Sequence, residues 1–141
     1  EAAFQVWAKR HNNYYLIYSW SKIMDFSETL QRFKQICKTF PEARKKLIEK
    51  KANGPALYSV LHKEISGIEL VEPKGGKLSR VIAMEPVLYQ GRASLPRDDF
   101  PWVTKFIEQA AAFPQGKRDD LVDCASMSLL YFEGGFKKVK K

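Results

Sequence analysis

Leu47 to Leu57 reads LIEKKANGPAL. Two apolar residues and Glu49 make a short strand, the Ala52-Asn53-Gly54 run makes a turn, and Pro55 opens an apolar period. That period continues through Leu57, Val60, Leu61 and Ile65 on one helical face, and Gly67 suits its stop. Ile68 to Val71 is then a second strand. Strand, helix and strand in this order build a parallel sheet through a right-handed crossover. Open α/β sheets place their chemistry beyond the carboxyl ends of such strands, and Glu49 is a carboxylate at that position.

Working toward the N-terminus, Asp25 and Glu28 have the spacing of a capping box. Phe26, Leu30, Phe33, Cys37 and Phe40 follow at helical intervals until Pro41, which predicts an amphipathic helix with one buried face. Before it, Ala2 to Lys9 and Tyr14 to Trp20 are aromatic and β-branched runs joined by His11-Asn12-Asn13, a hairpin signal.

Toward the C-terminus, Pro73-Lys74-Gly75-Gly76-Lys77 lacks the spacing of a Walker loop, which excludes a nucleotide-triphosphate site of that kind. It stands as a surface turn or as a basic loop touching a phosphate backbone. Leu78, Val81, Ile82 and Leu88 predict a helix kinked at Pro86 and ended by Gly91. Ala93 to Leu95 is a brief extended piece. Trp102, Val103, Phe106, Ile107 and Ala110 mark a helix that starts at Pro101 and ends at Pro114. The last helix buries Leu121, Val122, Ala125, Leu129 and Phe132, and crowds Asp119, Asp120 and Asp123 into its first turn.

The 141 residues, 45% of them hydrophobic, predict one domain around one continuous core. The net charge of +8 favours an acidic partner such as nucleic acid. Residues 134–141 are set apart as a basic tail, with Lys137, Lys138, Lys140 and Lys141 after two glycines. Cys37 and Cys124 both fall in apolar helical patterns, as reduced core cysteines of an intracellular protein do. No apolar run approaches the ~18 residues of a membrane span, and no signal peptide opens the chain.

Cys37, Cys124, His11 and His62 lack zinc-ligand spacing, and no G-x-S-x-G elbow is present. The acids are better placed for chemistry. Asp119 and Asp123 are four apart and Asp120 and Asp123 three apart, so two carboxylates can project from one helix face. Alone, the cluster reads as a helix cap. Combined with Glu49 it offers hard oxygen ligands for two Mg²⁺ or Mn²⁺ ions of the kind that promote phosphodiester hydrolysis.

IEKKANGPAL, VEPKGGKLSR, QGRASLP, PWVTKFIEQAAAFPQGKRDDLVDCAS and the early DFSETL together resemble the C-terminal nuclease domain of tailed-phage, or prophage, terminase large subunits, over nearly the whole chain and in the same order. The resemblance implies a ribonuclease H-like, RuvC-type fold, a mixed β-sheet flanked by helices, over residues 1–133. It implies a divalent-metal-dependent endonuclease that cuts concatemeric viral DNA during packaging in the cytoplasm of the bacterial host. Glu49 matches the acid before the family's Ala-Asn-Gly turn, and Asp119, Asp120 and Asp123 match its closing acidic motif. Glu49 and Asp120 are the foremost metal ligands expected, Asp119 and Asp123 compete for the remaining role, and Lys74, Lys77 and Arg80 are expected at DNA phosphates. Double-stranded DNA, the terminase ATPase domain, the portal and the small terminase subunit are the implied partners.

Three departures accompany the match. Lys50 stands where the family often has an acid, and Arg118 where it often has histidine. The family's first, central strand carries a metal-binding aspartate, and the resemblance implies that this stretch of sequence begins just after it, with Glu1 too late in the pattern to replace it. The expectation is therefore weak or absent cleavage, with exposed sheet edges covered by rearrangement or by a second copy of the chain. Two other readings are a non-catalytic DNA-binding or docking module on the same fold and a junction resolvase.

Overall fold

The computed structural model describes residues 1–73, 75–97 and 100–134, and the backbone alone at 137 and 138. In chain order the elements are β1 (Ala2–Arg10), β2 (Asn13–Lys22), α1 (Phe26–Thr39), β3 (Lys46–Glu49), α2 (Gly54–Leu61), β4 (Ile68–Glu72), α3 (Lys77–Tyr89), β5 (Ala93–Ser94), α4 (Pro101–Ala112), α5 (Asp120–Phe132) and β6 (Lys137–Lys138). This is an α/β chain with mixed sheets flanked by helices. The chain divides into two compact units, residues 1–23 with 75–133 and residues 24–74 with 134–141. Each has its own three-stranded sheet, ordered β1-β2-β5 in the first and β3-β4-β6 in the second.

In the first unit, β1 and β2 pair antiparallel around a turn in which His11 takes a left-handed φ of 57°, and β5 joins β2 in parallel. The register shifts between Val6, which faces Tyr18, and Trp7, which faces Leu16. Ile17 is therefore an extra residue, and beyond such a bulge the alternation of faces reverses. Tyr14 and Leu16 are buried before it, Ser19 and Ser21 after it. Tyr14 packs with Met84, Val87 and Leu129, while Leu16 packs with Phe106, Leu121 and Ala125.

The helix over α3 is present, but its buried face differs from the expected one. Leu78, Ile82 and Leu88 are exposed, and Arg80, Met84 and Val87 point inward. Apolar residues lie on both sides of this helix, and spacing alone does not say which side meets the core. Pro86 lies within the helix, and Gly91, with a φ of 68°, follows its end, as expected.

In the second unit, β3 and β4 pair in parallel from Lys46 opposite Ile68 to Glu49 opposite Val71, with α2 between them in sequence. The expected strand-helix-strand unit is thus formed. Ile48, Leu61 and Val71 make its buried interior. Asp25 and Glu28 close a reciprocal capping box on α1. The apolar residues expected to be buried on α1 are only half-buried, and Thr29 is its one buried residue. At the C-terminus, the backbone of Lys137 and Lys138 extends the sheet antiparallel to β4, so that part of the expected basic tail is strand. Among the described residues, no helix is long and apolar enough to cross a membrane.

Candidate functional site

The first turn of α5 is fixed from below. Leu121, Val122, Ala125 and Leu129 are buried, which sets the rotation of the helix and leaves Asp119, Asp120 and Asp123 at its half-buried start. One carboxylate oxygen from each of these three can be chosen so that all lie within 4.8 Å of one another. Capping does not account for them. Asp119 occupies the N-cap position, yet its side chain makes no capping hydrogen bond. The backbone N–H of Leu121 donates instead to Oε1 of the buried Gln109 on α4, at 3.2 Å.

Two cations from α3 meet this cluster. Lys77 Nζ donates to Asp119 Oδ1 at 2.8 Å and lies 3.2 Å from Asp123 Oδ2. Arg80 is 5% exposed, and its Nη2 sits 3.7 Å from Asp123 Oδ1. The hydrogen bond to Asp119 is the main cause that raises the Lys77 ammonium above the usual lysine range. Burial raises Asp123 above the usual carboxylate range, with Lys77 and Arg80 opposing and Asp119 adding to the rise. Lys77 and Arg80, expected at DNA phosphates, thus have carboxylate neighbours within the protein. Lys74, the third residue expected there, lies outside the described residues.

Glu1 is the residue that sequence reasoning set aside as too late in the pattern to act as an acid of the site. Its side chain is 6% exposed and faces Asp120 at hydrogen-bonding range. Burial raises the Asp120 carboxyl, the Glu1 carboxyl raises it further, and the N-terminal amine opposes both. Two ionised carboxylates have no proton to share, and Glu1 Oε1 is left buried without a hydrogen-bond partner. Lys105 Nζ reaches Glu1 Oε2 only at 3.9 Å while donating to the Ser21 carbonyl at 3.1 Å. The only sequence signal was position: Glu1, Ala3 and their cross-strand neighbour Ser21 share a hairpin face.

Glu49 belongs to the second unit, where it ends β3 half-buried, as the sequence predicts. The turn after it is tightly specified. Lys51 N–H donates to the Glu49 carbonyl at 2.9 Å, Gly54 N–H to the Lys51 carbonyl at 2.9 Å, and Ala52 adopts a φ of 50°. A Cβ on Gly54 would stand 1.8 Å from the Glu49 carbonyl oxygen, so only glycine lets α2 start this close to β3. Lys50 lies 3.7 Å from Glu72, and Arg118 is exposed just before the acidic turn. Cys37 and Cys124 are free thiols, both half-buried. Comparison with family models, curated proteins and solved structures gives no match for this chain.

Proposed function

We propose that the chain is a divalent-metal-dependent DNA endonuclease domain of the terminase type, with a ribonuclease H-like fold. The observation that carries this reading is the convergence of Asp119, Asp120 and Asp123 without a capping role. An all-oxygen, all-carboxylate donor set suits Mg²⁺ or Mn²⁺ rather than zinc or copper. The buried, unpartnered Glu1 Oε1 beside it is the kind of atom such an ion satisfies.

In this reading Asp120 is the principal ligand, and Asp119 and Asp123 complete the donor set once Lys77 withdraws. Bound divalent ions would supply an activated water and charge neutralisation at the phosphodiester. The chain's own residues hold the acids in place: Gln109 anchors the start of α5, and Lys77 and Arg80 balance the acids' charge. The excess of basic residues adds salt-sensitive, sequence-independent attraction to DNA. The ATPase domain, portal and small subunit of a terminase remain the partners this reading implies.

A specific observation favours a second reading. Lys77 and Arg80 already neutralise Asp119 and Asp123, as they would in a DNA-binding or docking module that keeps the fold without the chemistry. Incubation of supercoiled plasmid with Mn²⁺ separates the two. Slow nicking that disappears in Asp120→Asn supports the nuclease, whereas DNA binding without nicking at any metal concentration supports the module.

A further inference from the structure

The Glu1 carboxylate contradicts a simple structural role. A buried acid that stabilises a fold is paired with a cation or with donors, because desolvating an unpaired charge is costly. Glu1 is buried against another acid, its Oε1 has no donor, and Lys105 Nζ stands 3.9 Å from the opposite oxygen. Ser21 Oγ, on the same hairpin face, is also buried without a partner. Lys77, meanwhile, is held by Asp119 and Asp123 rather than by Glu1 or Asp120. The arrangement has donors enough for an oxygen-seeking cation and too few protein donors to be satisfied without one.

We propose that Glu1 is itself a metal ligand: a divalent cation of the Mg²⁺ or Mn²⁺ class is held between the carboxylates of Glu1 and Asp120, joining the hairpin to α5. The choice of ion rests on the nuclease reading. The placement of Glu1 does not, since it follows from the two facing carboxylates alone. The ion takes the position where a shared proton would otherwise sit, so Glu1 supplies from the hairpin a ligand that the acidic turn of α5 lacks.

The test is calorimetric titration of the chain with Mn²⁺ near neutral pH, paired with thermal melting with and without the ion. Glu1→Gln and Asp120→Asn are each expected to weaken Mn²⁺ binding about tenfold or more. Without metal, Glu1→Gln is expected to melt above the wild type because it removes repulsion between buried carboxylates, and to lose the rise in melting temperature that Mn²⁺ gives the wild type. A structural acid would behave oppositely, with the variant melting lower. Unchanged Mn²⁺ affinity in Glu1→Gln, with affinity lost in Asp120→Asn, overturns the assignment of Glu1 and leaves the nuclease reading standing. A wild type that binds no Mn²⁺ overturns it as well. Binding that needs both acids in a chain that never nicks plasmid upholds Glu1 as a ligand and ends the nuclease reading instead.

Discussion

Gln109 Oε1 accepts the backbone N–H of Leu121 at 3.2 Å, so a side chain of α4 performs the capping that the first-turn aspartates of α5 do not. The first N–H groups of any helix lack partners within it, and Gln109 is itself buried, 8% exposed. Gln109→Leu leaves that donor unsatisfied away from water. The expected loss is about 1–2 kcal/mol in urea unfolding. Gln109→Glu keeps an acceptor in place and is expected to lose less.

Lys77 to Met removes the ammonium that lies between Asp119 and Asp123. The two acids then repel, and the melting temperature is expected to fall without divalent ions. Because the lysine side chain is 37% exposed, solvent screening keeps the loss to roughly 1 kcal/mol or less. Differential scanning fluorimetry across a Mg²⁺ series is the measurement. The nuclease reading expects the variant to gain more from the ion than the wild type does, and the docking-module reading expects no gain in either.

Gly54 to Ala forces a Cβ to within 1.8 Å of the Glu49 carbonyl, a contact with backbone that no rotamer change relieves. Either β3 or α2 must move. The expected loss is roughly 2–4 kcal/mol by denaturant unfolding, with displaced amide resonances at Lys51 to Ala56.

Tyr14, Arg92 and Glu133 form a network sensitive to pH. The Tyr14 hydroxyl donates to Glu133, and Arg92 Nη2 donates to Glu133 Oε2 at 2.8 Å. The Arg92 hydrogen bond, followed by that of Tyr14, holds the Glu133 carboxyl below the usual range. A depressed carboxylate contributes stability above its unfolded pKa and loses it as pH falls through the folded value. Tyr14 shifts upward, first through burial and then through Glu133, so its share is present below the ordinary tyrosine range and is lost as pH rises beyond it. Glu133→Gln is expected to flatten the acid limb of a plot of stability against pH, and Tyr14→Phe the alkaline limb.

Elements with local signals were legible in the sequence. The Asp25 and Glu28 box, the turn at Ala52 to Gly54 and the parallel pairing of β3 with β4 follow from spacing, because a cap or a tight turn is decided within a few residues. The inward face of α3 was not, since Leu78 and Ile82 compete with Met84 and Val87 and only the packed neighbours choose between them. The same holds for the site. Three acids within five residues are visible in one dimension, but Glu1 reaches Asp120 only through a hairpin packed on a helix, 119 residues along the chain.

Ile17 gives β2 something like a phase boundary. On the turn side of it the inward positions are even-numbered, Tyr14 and Leu16; past it they are odd-numbered, Ser19 and Ser21. That offset turns two hydroxyls inward on the end of the hairpin that carries Glu1, while Tyr18 meets Trp102 edge-on and Trp20 meets Phe4. Removing one residue there would leave composition and charge almost untouched. It would exchange hydroxyls for aromatic rings beside Glu1, so the polarity of this part of the molecule is set by a count of residues rather than by their kind.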